Sequence, residues 1–232
     1  SGDQACGETG EGRMLEPEDL VEDVIAWLAP KALAGRRVLI TAGPTFEPID
    51  PVRGITNLSS GKMGFAIARA CRQAGADVML VAGPTGLPTP RGVRRIDVRT
   101  ARDMHQAVMG ELGAVGSAAY GRSDVFIAVA AVADWRVANV SASKLKKTAD
   151  GAPPALEFVQ NPDILAEVAA RSDAPWCVGF AAESEDLEKN GQEKRLRKRV
   201  PLLVANIGHA TFGRDDNELL LIDDQGMQLL ER

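Results

Sequence analysis

The sequence predicts an α/β fold: a three-layer, Rossmann-like, mostly parallel sheet with a C-terminal β-hairpin. Three observations carry this. From about residue 36, short apolar runs alternate with stretches of helical periodicity, the pattern of parallel strands joined by crossover helices. The tail breaks that pattern, because residues 218–222 and 227–230 are separated only by Asp223-Asp224-Gln225-Gly226, a hairpin turn. With 232 residues, 45% of them hydrophobic, the chain can bury one large core and is somewhat long for two.

Taken in order, residues 15–33 read as one amphipathic helix begun by Pro17 and leading into the domain. Val38-Leu39-Ile40-Thr41 ends in Ala42-Gly43-Pro44 and reads as a buried parallel strand leaving the sheet at its carboxyl end, where ligands of open α/β sheets bind. A proline-punctuated excursion follows, and helical periodicity begins only at Ser59-Ser60-Gly61, with Met63, Ile67 and Cys71 on one face. The second strand, residues 77–81, ends in Ala82-Gly83-Pro84-Thr85 and echoes the first. No further copy appears, so two successive strands leaving through similar turns explain the echo better than a repeat array. Strands at 93–98 and 124–129 flank a helix over about residues 101–112, and strands at 176–180 and 202–205 complete the buried set.

Several function classes are excluded. A Walker A loop needs Gly five residues before the Gly-Lys pair and Ser or Thr after it, whereas Thr56 and Met63 stand at those places around Gly61-Lys62. No dinucleotide fingerprint follows the first strand, and the second strand ends without the acidic residue that would hold a ribose. A short-chain dehydrogenase is disfavoured because the only tyrosine, Tyr120, has Asp124 where the catalytic lysine would stand. No apolar run reaches the ~20 residues that span a bilayer and no secretory signal opens the chain, so a cytoplasmic protein with no membrane contact is expected. Cys6, Cys71 and Cys177 are odd in number and widely spaced, and His105 and His209 stand alone, which points to neither a disulfide framework nor a zinc site. A net charge of −5 argues against nucleic-acid binding.

Five groups of residues carry candidate chemistry, each beside a plainer reading. Ser59, Ser60 and Gly61, with Lys62 nearby, would point N–H groups, hydroxyls and the helix dipole at an anion; an ordinary serine-capped helix fits the same residues. Residues 128–134, from Ala128 through Val129, Ala130 and Ala131 to Asp134, have small side chains that let a ligand approach the main chain, with Asp134 as an acceptor; a tightly packed strand exit accounts for them too. Lys144, Lys146 and Lys147 precede a breaker-rich stretch and read as a basic flap or as solvated loop lysines. Asn161-Pro162-Asp163-Ile164 is a turn and helix start. Lys194 and Lys198 lie one helical turn apart and present two cations to one anion or to solvent.

The segments AGPTFEPIDPVRGITNLSSGKMGFAIA, AAVADWRV, KLKK and NPDIL, in this order, resemble the phosphopantothenoylcysteine synthetase family. Members form the C-terminal domain of the bacterial bifunctional phosphopantothenoylcysteine decarboxylase/phosphopantothenate–cysteine ligases. The likeness covers about residues 36–232. Residues 5–14, ACGETGEGRM, resemble the substrate clamp of the flavin-dependent decarboxylase that comes before it. The expected organisation is therefore a clamp remnant over 1–14, with Cys6 an exposed thiol, a linker helix over 15–35 and a ligase domain over 36–232.

The resemblance implies CTP-dependent ligation of 4′-phosphopantothenate to L-cysteine through an acyl-cytidylate, releasing pyrophosphate and CMP, with Mg²⁺ and in a homodimer. FMN would belong to the absent decarboxylase domain. Asn57, Arg53, Ala130, Ala131 and Asp134 would contact phosphopantothenate, while Ser59, Ser60, Gly61, Ala128, Val129, Ala130 and Asp134 would face the nucleotide. Asn161, Pro162, Asp163, Ile164 and Phe180 would lie along base and ribose. Lys194 and Lys198 would bind the triphosphate, and Lys144 would be catalytic. Arg53 would reach a neighbouring subunit's substrate, making the site composite, and the Asn57 amide is a candidate donor to the acyl oxygen. The choice of CTP over ATP rests on the bacterial character of the match, and no metal ligands are identified. The rivals are a non-catalytic nucleotide-binding dimerisation module and, weakened by the missing fingerprints, an NAD-dependent oxidoreductase.

Overall fold

The structure, a computed structural model, describes residues 2–3, 9–10, 14–113, 122–147, 154–183, 185–207 and 216–231. Cys6, Tyr120, His209, most of the expected clamp remnant and most of the breaker-rich stretch after Lys147 lie outside the described residues.

Helix α1 (Pro17–Leu28) opens with Pro17 and the acidic residues Glu18 and Asp19 in its first turn, as proline geometry and the helix dipole favour. It stops at Leu28, earlier than the expected residue 33. Ala29 is extended, with ψ 143°, because the ring of Pro30 disfavours helical backbone before it. The main domain then runs through β1 (Arg37–Ala42), β2 (Phe46–Pro48), β3 (Gly54–Thr56), α2 (Lys62–Gln73), β4 (Asp77–Ala82), β5 (Arg94–Asp97), α3 (Ala101–Leu112), β6 (Val125–Ala128), β7 (Trp135–Val137), β8 (Phe158–Gln160), α4 (Ile164–Ala169), β9 (Trp176–Glu183), α5 (Leu187–Lys198), β10 (Leu202–Ile207), β11 (Leu219–Ile222) and β12 (Met227–Leu230).

Eight of these strands form one sheet in the order β12-β11-β10-β9-β6-β1-β4-β5. The six from β5 to β10 are parallel, and the terminal hairpin β11-β12 adds to β10 antiparallel. The chain steps outward from β1 to β4 and β5, then returns to the other side of β1 with β6. Strand order thus reverses between β1 and β6, the place where open α/β sheets hold ligands. Three short antiparallel pairs, β2-β3, β7-β8 and residues 2–3 with 9–10, lie outside the sheet among the described residues, and none was read from the sequence.

Alternation along the strands builds the two sides of the sheet. Val38 and Ile40 of β1 join Phe65 and Ala68 of α2 in one buried cluster, while Leu39 joins Met104 and Val108 of α3 and Val168 of α4 in the other. The core therefore has helix, sheet and helix layers, as the sequence predicts. The α3 start is fixed by a capping box in which Thr100 and Asp103 exchange side-chain and backbone bonds. Cys71 and Cys177 are free and sit in separate clusters; burial raises the Cys71 thiol and pushes Cys177 up to about 11, as for inert core cysteines. Among the described residues no helix is long and apolar enough to cross a membrane.

Candidate active site

A cleft of about 880 Å³ opens at the carboxyl ends of the parallel strands, across the reversal between β1 and β6. Its end at the start of α2 is set by Gly61, whose φ of +80° turns the chain out of the excursion and into the helix. The helix begins at Lys62, so the expected start within Ser59, Ser60 and Gly61 is corrected by one to three residues. The serines explain the shift. Ser59 Oγ accepts the Gly61 N–H at 3.3 Å and Ser60 Oγ accepts the Lys62 N–H at 3.5 Å, a pair of serine turns in place of a helical cap. Ser59, Ser60 and Gly61 all line the cleft, together with Lys62, Met63 and Gly64 of the first helical turn.

The floor is the strip that continues β6. Ala128, Val129, Ala130, Ala131 and Asp134 line the cleft as expected, but most of their N–H groups face inward. Val129 N–H donates to Thr41 O at 3.2 Å, Ala131 N–H to Gly43 O at 3.0 Å and Ala133 N–H to Thr45 Oγ1 at 3.0 Å. The strip therefore approaches a ligand mainly through small side chains. Two asparagines hold its second half. Asn57 Nδ2 donates to Ala131 O at 2.9 Å, and Asn161 Nδ2 donates to Ala133 O at 2.8 Å while its own N–H donates to Asp134 O. Asn161 also accepts from Arg136 through Oδ1 at 3.1 Å, so its side chain braces the floor.

On the opposite wall stand Pro162, Ile164, Phe180 and the two lysines of α5. Asp163 caps α4, its Oδ1 accepting the Ala166 N–H at 3.1 Å, and its other oxygen pairs with Lys198. Lys194 pairs with Glu183 at 3.3 Å. Both lysines thus face the cleft as the i, i+4 spacing requires, but each has a carboxylate of its own, which an incoming polyanion would have to displace or share. Glu183 escaped the sequence reading because its pairing depends on β9 running three residues past its expected end.

Arg53 and Lys144 do not line this cleft. Arg53 belongs to the excursion, where its guanidinium is bound to Asp50, and Lys144 is exposed on the segment beside it. Asp50 is buried and was not singled out from the sequence, where it falls within the proline-punctuated excursion. The Arg53 guanidinium, against the opposing cost of burial and helped by the N–H groups of Val52, Leu145 and Arg53, holds the Asp50 carboxyl well below the usual carboxylate range. A depressed folded-state value means that this pairing stabilises the fold at neutral pH and is lost only as pH falls through that low value. Glu47, also buried, accepts the Ala101 N–H at 2.8 Å and ties the excursion to the start of α3.

No group of three or more His, Cys, Asp or Glu among the described residues could hold a metal ion. The carboxylates lining the cleft are those of Asp134, Asp163, Glu183 and Asp216, with Asp163 and Glu183 paired to Lys198 and Lys194. One or two carboxylates are all that a Mg²⁺ ion needs from a protein when a bound ligand's phosphates supply most of its contacts.

A family model described as the DNA/pantothenate metabolism flavoprotein C-terminal domain matches residues 33–232. The chain is 50% identical to the coenzyme A biosynthesis bifunctional protein CoaBC of Vibrio cholerae, over 99% of this chain and 57% of that protein. With the protein of the same name from Escherichia coli it shares 47% identity, over 99% of this chain and 56% of that one. The chain thus spans a little over half the length of these curated relatives. A crystal structure of the C-terminal domain of CoaBC is 37% identical, covers 87% of this chain and 88% of that one, and superposes with a TM-score of 0.69. The chain belongs to the family of DNA/pantothenate metabolism flavoprotein C-terminal domains.

Proposed function

We propose that this chain is an acid–amino-acid ligase that joins 4′-phosphopantothenate to L-cysteine at the expense of CTP. The observation that carries the reading is the convergence, in one cleft at the strand-order reversal, of the helix start after Ser59-Ser60-Gly61, the small-residue floor at 128–134 and the lysine face of α5. Membership of the family, and relatives named as coenzyme A biosynthesis proteins, support the substrate class.

In the first step a carboxylate oxygen of phosphopantothenate attacks the α-phosphorus of CTP, and the bond to the β-phosphate oxygen breaks to release pyrophosphate. Two anions meet there. Lys194, Lys198 and the α2 start would offset their charge, with Lys144 brought in from the basic segment. Mg²⁺, held by the phosphates and one or two cleft carboxylates, would add further neutralisation. In the second step the cysteine amine attacks the acyl carbon, CMP leaves, and the amine gives up its proton. Asn57, which lines the cleft, would donate to the acyl oxygen as charge develops on it.

The same proposal includes a homodimer in which Arg53 meets the other subunit's substrate, a ligase domain over residues 36–232, a cytoplasmic setting and fusion to an FMN-binding decarboxylase, which the greater length of the bifunctional relatives supports. Flavin chemistry is assigned no residue of this chain. The test is release of pyrophosphate from labelled CTP with each substrate omitted in turn. Release that requires phosphopantothenate, and CMP-coupled product that requires cysteine, is the expected result; CTP binding without turnover would leave a nucleotide-binding dimerisation module in its place.

Two variants probe the cations. Lys144→Gln should lower pyrophosphate release by about tenfold, a moderate loss for an exposed charge that acts only when brought to the phosphates. Unchanged release would remove Lys144 from the mechanism. Lys194→Ala and Lys198→Ala should each raise the CTP concentration for half-maximal rate by about fivefold, with a non-additive double variant because one ligand is shared. CMP binding should change less than CTP binding, and equal loss for both would assign the helix to folding or to the base.

A further inference from the structure

The turn from Ile49 to Arg53 closes on itself: the Ile49 and Asp50 N–H groups donate to Arg53 O at 2.8 and 3.2 Å. Within it, Asp50 Oδ1 accepts the Val52 and Arg53 N–H groups, both at 2.8 Å, which is ordinary Asx-turn chemistry. The second oxygen, Oδ2, has partners the turn does not need. It accepts Arg53 Nε at 3.0 Å and Nη2 at 2.5 Å, and it accepts the N–H of Leu145, a residue 95 positions away, at 3.1 Å. Arg53 Nη2 in turn donates to Leu145 O at 2.9 Å. Both main-chain polar groups of Leu145 are thereby gripped by one ion pair, and Ser141 N–H adds a tie to Ile49 O at 3.0 Å.

Burying a carboxylate is costly unless it is paired and fully hydrogen-bonded. The Asp50 side chain is fully shielded from solvent, whereas the Arg53 side chain is 45% exposed. A turn alone would be satisfied by Oδ1. The additional desolvation is offset by fastening a distant segment, and that segment carries the lysines.

We propose that Asp50 is a positioning residue for the lysine segment 144–147: with Arg53 it forms a clasp on the main chain at Leu145 that fixes where Lys144 stands relative to the cleft. The catalytic consequence rests on the ligase reading given above. The clasp gives Arg53 a role within its own chain, next to the one across the dimer.

Asp50→Asn tests this selectively. An asparagine can still accept the turn N–H groups through Oδ1, but its Nδ2 then sets a donor against the Leu145 N–H and the guanidinium. Hydrogen exchange at the Leu145 amide of the full chain should speed up by about tenfold or more, with β1 and α2 amides unaffected. The maximal rate of phosphopantothenate-dependent pyrophosphate release should fall by about tenfold, while the CTP concentration for half-maximal rate moves by less than about twofold. Arg53→Lys, which keeps the charge and lacks the fork, should also speed exchange at Leu145. Unchanged exchange at Leu145, acceleration spread evenly over the core, or a raised CTP requirement at full maximal rate would each overturn the proposal. Should the parent chain release no pyrophosphate, the ligase reading fails, and the exchange data alone decide whether the clasp exists.

Discussion

Asn57→Asp should lower cysteine-dependent product formation by about 10²-fold while leaving the protein folded, the loss typical of removing one preorganised donor to a developing oxyanion. The site geometry sharpens the reason. One proton of the Asn57 amide is donated to Ala131 O at 2.9 Å, which sets the floor of the cleft, and the second is the proposed donor to the acyl oxygen. An ionised aspartate supplies neither proton and sets a carboxylate against a carbonyl oxygen, at a cost of about 1–3 kcal/mol for the broken pair. If the second proton serves mainly amine attack, the variant should still release pyrophosphate once per site and accumulate acyl-cytidylate, read by mass spectrometry, with cysteine failing to discharge it. Normal product formation would sink the assignment. Loss of both half-reactions would instead make Asn57 a general substrate-binding and floor-setting residue.

The largest loss of stability is expected at Gly83. Strands β1 and β4 are in register, Ala42 beside Ala82, and each leaves the sheet through a glycine. The two exits and the start of α2 are then stacked backbone on backbone: a Cβ on Gly83 would lie 1.8 Å from Pro44 O, and one on Gly61 3.2 Å from the Gly43 Cα. Pro44 O is main chain and cannot swing aside like a flexible side chain. Gly83→Ala should therefore cost ~3 kcal/mol or more, lowering Tm by about 6–12 °C for a chain of this size. Gly86→Ala is the control, three residues on, where a Cβ would meet nothing within 4 Å, and its Tm should stay within about 2 °C. Equal midpoints for the two variants would show that the glycine stack relaxes freely.

That stack gives the echo between residues 38–45 and 78–85 a physical basis: the sequence reads it as two successive strands leaving the sheet through similar turns, and in the structure the two exits are packed against each other. The pattern was legible; the contact was not.

By itself the sequence determined the layered sheet, the α3 boundaries, the terminal hairpin and the set of segments that meet at one edge. Parallel strands joined by crossover helices all end on the same side, so strand-end residues such as Ala128 and Phe180 converge whatever the details of packing. Only the tertiary structure decided which polar groups are already paired. Asn57 reaches a carbonyl 74 residues away, Lys198 a carboxylate 35 residues away and Asp50 an amide 95 residues away, and none of these partners shares a periodicity with its mate. Apolar spacing records which face of an element is buried, a property of neighbours along the chain. Hydrogen bonds and ion pairs depend on distances fixed to a fraction of an ångström between elements remote in sequence, and those distances exist only once the sheet has brought the segments together.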